Sequence, residues 1–288
     1  MLRLTNLLME CFNQNNMKLQ AIFDRLWNDY TTLNPSAKQV YDLLINEGES
    51  IENDHIAFRT FDDSRINIEV LSQVFLGLGF QEKGEYHFKE KKLYAKHFEH
   101  PDLKNAPRVF ISQLLLKEFS PELQSTVKKS IDQISESFLK SDDLIFSGRL
   151  WDKPSYKTYE KLREESEYAA WLYVYGFMAN HFTVNVNLLK KYNSLENLNS
   201  FLIERGFLLN KAGGEIKGDP SQLLEQSSIK SGIIKMDFAE GLYNIPGCYY
   251  EFAKRYPDKN GDLYSGFIAK SADKIFESTN FYKLDDSK

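Results

Sequence analysis

Two histidines and one glutamate stand out in this 288-residue chain because of the places they occupy. His55 lies in the run DHIAFRTF at 54–61, His181 opens HFTVNV at 181–186, and Glu251 lies in CYYEF at 248–252. Two imidazoles and one carboxylate meeting on one cavity form the 2-His-1-carboxylate face of a non-haem Fe(II) site, which leaves positions open for a chelating substrate and O2. Gln113, in FISQL at 110–114, closes the first half of the chain as CYYEF closes the second. It is expected to be a near neighbour of the metal or a weak ligand. His87, His97 and His100 fall in or after charged strand segments without any such counterpart and are expected to be structural.

The case for bringing distant residues together is an internal repeat. The run 54–61 is short, aromatic and alternating, so it reads as a strand with His55, Ala57 and Arg59 on one face. A helical pattern over 68–78 stops at Gly79, and strand-like runs follow at 80–88, 93–98 and 109–116, giving βαβββ. From His181 the order returns: a strand over 181–186, an amphipathic helix over 195–205, a stop at Gly206, and strand-like runs around 223–229, 233–238 and 248–253. LSQVFLGLGFQEKGE at 71–85 matches LNSFLIERGFLLNKAGGE at 198–215 in apolar positions, in the Gly-Phe pair and in the following Gly-Glu. His55 precedes Gly79 by 24 residues and His181 precedes Gly206 by 25, so both histidines take equivalent places on the first strand of their repeat. If the repeats share one curved sheet, the first and last strands of each converge, and with them His55, Gln113, His181 and Glu251.

The expected fold class is therefore α+β: two βαβββ repeats forming a curved sheet, with added N-terminal and inserted helices. N-terminal helices occupy 1–50, broken at Asn34-Pro35; the repeats occupy 51–118 and 180–256. A helical insertion fills 119–179, and a C-terminal tail with a short helix covers 257–288, all within one structural domain. With 42% hydrophobic and 14% aromatic residues the chain can bury a core, which excludes a disordered protein. The net charge of −5 and the mixed-sign basic patches argue against nucleic acid as a partner. Cys11 and Cys248 are too few for a disulfide framework or a cysteine zinc site, as expected of a reducing compartment. No apolar run reaches membrane-spanning length and Arg3 and Glu10 interrupt the first residues, so the expectation is a cytoplasmic protein without a membrane partner. The Gly213-Gly214-Glu215 turn lacks the Lys-Ser/Thr and the following helix of a phosphate loop.

Taken together, DHIAFRT at 54–60, NHFT at 180–183 and PGCYYEFAKR at 246–255 resemble the 2-oxoadipate dioxygenase/decarboxylase family, whose fold belongs with the vicinal-oxygen-chelate proteins. The resemblance implies an Fe(II) enzyme that cleaves 2-oxoadipate with O2, releasing CO2 and leaving 2-hydroxyglutarate, in lysine breakdown. It implies His55, His181 and Glu251 as iron ligands. Arg59 would be the catalytic residue that holds a substrate carboxylate by charge-assisted hydrogen bonds. Gln113 and Thr183 complete the expected substrate contacts, and the partners are a small 2-oxo acid and O2. A 2-oxo acid that chelates the metal through its carboxylate and keto oxygens supplies the electrons itself, so no separate cosubstrate is needed. Two other readings stay open at this point. One is a Zn or Ni lyase or isomerase of glyoxalase type, which needs the same cup but usually a fourth protein ligand, so that Gln113 is the discriminator. The other is a metal-free binding module of the same fold, in which the three residues do not meet.

Overall fold

The computed structural model describes residues 2–279 apart from 104, with side chains from residue 17 onward. Helix α1 (Leu2–Leu33) buries Leu19, Phe23, Leu26 and Tyr30, a stripe at helical spacing, and ends where Pro35 opens α2 (Pro35–Asn46). Asn34 between them ties the chain back onto the sheet: its Oδ1 accepts the Cys248 backbone N–H at 2.6 Å.

The first repeat runs β1 (Asn53–Phe61), α3 (Ile68–Leu71), α4 (Gln73–Leu76), β2 (Gln81–Phe88), β3 (Leu93–Glu99) and β4 (Arg108–Leu114). The helix expected over 68–78 is broken at Ser72, whose hydroxyl donates to the Glu69 carbonyl and competes with the helical ladder. The insertion consists of α5 (Pro121–Ile131), α6 (Glu136–Leu139), α7 (Tyr156–Glu165) and α8 (Glu167–Tyr175). Within the helical insertion, the run from Tyr156 divides at Ser166, which leaves the helical conformation and caps α8 by accepting from the Ala169 N–H. Helix α8 is apolar on every side and correspondingly buried.

The second repeat is β5 (Ala179–Asn185), α9 (Leu195–Glu204), β6 (Lys217–Asp219), β7 (Leu224–Ser228), β8 (Ile233–Phe238), β9 (Gly241–Pro246) and β10 (Tyr249–Arg255), followed by α10 (Ala269–Ile275). Eight strands form one curled sheet in the order β2-β3-β4-β1-β5-β10-β7-β6, and β8 and β9 form a separate hairpin. This corrects the expected strand assignment. The run 233–238 is not in the main sheet, and its place is taken by Lys217–Asp219, too short and polar to show an alternating pattern and carrying Gly218 at φ +80°. The hairpin is thus an insertion between the third and fourth strands of repeat two.

The halves join through β1 and β5, which run antiparallel with His55 opposite Thr183 and Ala57 opposite His181. That register relates the first strands of the two repeats by an offset of 126 residues, so Thr183 is the counterpart of Ala57 as His181 is of His55. Alternation along β5 and β10 then sorts the two faces. Phe182 and Tyr250 point back into the N-terminal helices, where the Trp27 ring lies 5.1 Å and 5.6 Å from theirs. His181, Thr183, Tyr249 and Glu251 point the other way.

Candidate metal centre

All three expected ligands lie on that second face and meet. His55, His181 and Glu251 are 2%, 3% and 1% exposed. Nε2 of His55 lies 3.4 Å from Nε2 of His181 and 3.6 Å from Oε1 of Glu251, and Nε2 of His181 lies 3.2 Å from Oε2 of Glu251. Donors bound at about 2.0–2.2 Å to one ion, roughly at right angles, stand about 3 Å apart, so the triangle is of the right size for a single metal. Among the described residues no other group of three His, Cys, Asp or Glu side chains has this closeness.

Each imidazole is turned by the residue before it. Nδ1 of His55 lies 2.8 Å from Oδ1 of Asp54, and Nδ1 of His181 lies 3.0 Å from Oδ1 of Asn180. With Nδ1–H donating to an oxygen, Nε2 keeps its lone pair for a metal. Asp54 is itself fixed by Arg255, whose Nε and Nη2 donate to it at 2.7 and 2.8 Å. Arg255 also donates to the carbonyls of Tyr264 and Gly266, next to Phe267, whose ring stands edge-on to His55 at 4.8 Å. On the other side Gln226 donates to Oε1 of Glu251 at 2.6 Å, and the Tyr249 ring stacks on His181 at 4.7 Å.

Burial dominates the electrostatics. It pushes the Glu251 carboxyl up to about 8 and lowers His55, against the pull of Asp54. His181 falls well below the ordinary imidazole value, with His55 and Arg59 adding to the effect of burial. Burial also acts to raise Asp54, but Arg255 and His55 outweigh it and hold that carboxyl ionised. Two neutral imidazoles and a carboxyl that ionises once a cation arrives are a donor set suited to a divalent metal.

Arg59 is 2% exposed, and its Nε, Nη1 and Nη2 have no hydrogen-bond partner. Its guanidinium carbon lies 4.9 Å from the Tyr168 ring and 5.0 Å from the Trp171 ring, both on α8. Tyr168 is anchored in turn by donating to the Ser112 carbonyl at 2.7 Å and accepting from the Thr60 N–H. A buried, always-charged fork with five unused donors is arranged for an anion.

Thr183 faces the centre, its Oγ1 3.1 Å from Nε2 of His55. Gln113 does not. The register sets Phe110, beside Ala57, as the counterpart of Glu251, which sits beside Thr183. Gln113, three residues on, falls on the opposite face, and its Oε1 accepts the Ile68 N–H at the start of α3. The expectation of Gln113 as ligand or substrate contact is corrected accordingly, and with it goes the fourth ligand that a glyoxalase-type site would need. His97 is structural, bonded to Tyr86 and Glu99. Asp54, Asn180, Gln226, Tyr249, Phe267 and the α8 aromatics were not singled out in the sequence. The polar residue before each histidine was a readable signal; the others carry none.

The family model for 2-oxoadipate dioxygenase/decarboxylase matches residues 4–145 and 143–258. A chloroplastic/amyloplastic enzyme of that name from rice, Oryza sativa subsp. japonica, is 36% identical over 91% of this chain and 78% of its own. The chain belongs to this family. Among solved structures, the hydroxyglutarate synthase of Oryza sativa in complex with 2-oxoadipate is 33% identical, covers 94% of this chain and 95% of its own, and superposes with a TM-score of 0.88. A protein of Shewanella frigidimarina NCIMB 400, described as a hydrolase, is 48% identical over 87% of this chain and 98% of its own, with a TM-score of 0.82. A glyoxalase-superfamily protein of Ralstonia eutropha JMP134, 19% identical, covers 86% of this chain and 85% of its own with a TM-score of 0.74 and shares the fold. The architecture is thus of the vicinal-oxygen-chelate type. No helix among the described residues is long and apolar enough to cross a membrane.

Proposed function

We propose that this family member is an Fe(II)-dependent dioxygenase/decarboxylase that converts 2-oxoadipate and O2 to 2-hydroxyglutarate and CO2, in lysine breakdown. The observation that carries the reading is the pairing of a buried His55–His181–Glu251 triangle with a buried Arg59 that lacks any hydrogen-bond partner. One site suits a metal and the other a carboxylate, which matches a substrate that is a 2-oxo acid at one end and a carboxylate at the other. The rice neighbour, crystallised with 2-oxoadipate, supports the choice of substrate.

His55, His181 and Glu251 would hold the metal, which when bound supplies Lewis acidity and sites for the 2-oxo acid group and O2. Asp54 and Asn180 hold the Nδ1 protons, so both imidazoles stay neutral and correctly turned. Gln226 fixes one oxygen of Glu251. Thr183 presents a hydroxyl beside the place where the 2-oxo acid group would lie. Arg59 takes the distal carboxylate in two parallel hydrogen bonds between the rings of Tyr168 and Trp171, orienting the C1–C2 bond toward the metal end. Phe267, Tyr249 and Phe110 exclude water around it. Overall the C1–C2 bond breaks and C1 leaves as CO2 with its own two oxygens, while the two atoms of O2 enter 2-hydroxyglutarate, one completing the new carboxylate at the former C2 and one converting a C–H of the former C3 to C–OH. A cytoplasmic, reducing compartment belongs to the same proposal, in keeping with Cys248, which is free and buried.

The test is metal analysis of the protein purified without air, followed by O2 uptake and product analysis on a panel of 2-oxo acids. Iron at one equivalent and 2-hydroxyglutarate formed one-to-one with O2 consumed is the expected result. Uptake that is equal for all 2-oxo acids, or a protein active with zinc or nickel in the absence of O2, would refute it.

A further inference from the structure

We propose that Glu167 tunes the affinity of the site for an anionic tail by competing for Arg59: it sits on the guanidinium until a substrate carboxylate displaces it. The inference rests on the reading that Arg59 takes the distal carboxylate.

Glu167 opens α8, and its Oε1 lies 3.6 Å from Nη1 of Arg59. That is within reach of Coulomb attraction but too long for a hydrogen bond, so Glu167 neutralises the cation and leaves its donors unused. The pair is also asymmetric in burial, Arg59 at 2% and Glu167 at 18% side-chain exposure. Glu167 is therefore the partner with somewhere to go. Beyond it lies a cavity of about 480 Å³ into which the displaced side chain can swing; its wall is of mixed charge, with Lys91 and Arg163 already paired to Glu277 and Glu160. What holds Glu167 inward is a hydrogen bond from the Thr279 hydroxyl, on the short turn Phe276–Thr279 that follows α10.

Two carboxylates cannot share one buried guanidinium without strong repulsion, because little water is present to screen them. A dicarboxylic 2-oxo acid must therefore push Glu167 out. An acid with a neutral tail does not compete for Arg59 and leaves the ion pair in place. Glu167 thus sets how tightly an anionic tail must bind before it is accepted, without touching the metal end.

The experiment is anaerobic calorimetry on the metal-loaded protein, where binding proceeds without turnover, using 2-oxoadipate and its neutral-tailed analogue 2-oxohexanoate. Glu167→Gln keeps an oxygen for Thr279 and removes the charge, so 2-oxoadipate should bind about tenfold more tightly while 2-oxohexanoate changes less than twofold. In air, the KM for 2-oxoadipate should fall and kcat should move less. Thr279→Val, which loosens the tether and leaves every charge in place, should tighten 2-oxoadipate binding about twofold to threefold and stands in if Glu167→Gln fails to fold. Unchanged or weaker binding of 2-oxoadipate in both variants, or equal tightening of both ligands, overturns the role of Glu167. Arg59→Ala separates the two ideas: if it leaves the affinity for 2-oxoadipate unaltered, the Arg59 reading itself fails, and if it weakens binding while Glu167→Gln does not tighten it, the Glu167 inference alone fails.

Discussion

The two repeats share a backbone plan and have diverged in charge. On the first strands, offset by 126 residues, His55 and His181 correspond, but Asp54 matches Asn180, Ala57 matches Thr183 and Arg59 matches Asn185; on the last strands the register matches Phe110 to Glu251. Repeat two supplies the carboxylate of the candidate metal triangle, and repeat one supplies the buried cation without a hydrogen-bond partner. Repeat one also carries the charged anchor, since Asp54 binds Arg255, whereas the anchor of His181 is a neutral amide. A duplicated scaffold gives two imidazoles by symmetry, and on the proposed function a substrate with two unlike ends requires the symmetry to be broken at the other site positions.

The largest expected effect is at the one carboxylate. Glu251→Gln should lower metal affinity by more than about 10²-fold and abolish turnover, since losing a direct ligand costs more than losing its hydrogen-bonded support. Retention of the parent metal content on equilibrium dialysis would show that the charge difference between the repeats does not serve metal binding. At the opposite end, Arg59→Lys keeps the charge and loses the fork. A decline of about 10–100-fold in kcat/KM for 2-oxoadipate is expected, the scale of charge-assisted hydrogen bonds, with metal content unchanged. If both quantities dropped together, Arg59 would be supporting the metal end, and the division between the repeats would fail.

Asp54→Asn gives repeat one the neutral anchor of repeat two. Metal affinity should fall about tenfold, and thermal stability should fall as well because Arg255 loses its buried partner. Asn180→Ala should cost metal affinity only a few-fold without a comparable loss of stability; equal effects of the two would erase the asymmetry.

The smallest effect is a slope with pH. In metal-free protein the Glu251 carboxyl is raised to about 8 from an ordinary value near 4.5. Between those values the folded state holds a proton that the unfolded chain has released, so this group's contribution to stability falls as pH rises. Relative to Glu251→Gln, the metal-free parent should therefore lose stability from about pH 5 to pH 8; the lowered His55 and His181 contribute the opposite slope in both proteins, so the difference between them isolates Glu251. Chemical denaturation across this range, parent against variant, is the measurement; superimposable slopes would rule out a protonated Glu251.

Much of this was legible beforehand because a strand's two-residue period and a repeat's constant spacing are local properties. They placed His55, His181 and Glu251 on one face of related strands, and the structure brings their donor atoms within 3.2–3.6 Å of one another. Gln113 went astray because the last strand of each repeat was aligned by its position near the end of the repeat, and a register error of odd length turns a side chain to the other face. The run 233–238 was taken for a sheet strand because a hairpin and a sheet strand have the same alternation, and only pairing distinguishes them.

The sequence by itself determined the fold class, the repeat and the three candidate ligands, since apolar periodicity, helix-ending glycines at Gly79 and Gly206, and residue chemistry do not depend on distant contacts. Tertiary structure alone decided what surrounds them. Helix α8 is more than a hundred residues from Arg59, and nothing in its apolar composition says that Tyr168 and Trp171 flank that cation or that Glu167 stands against it. Nor does Arg255 announce Asp54 as its partner across 201 positions. Such pairings are fixed by how the helical layer packs on the sheet, and packing depends on the shape of the whole core and not on any short stretch of chain.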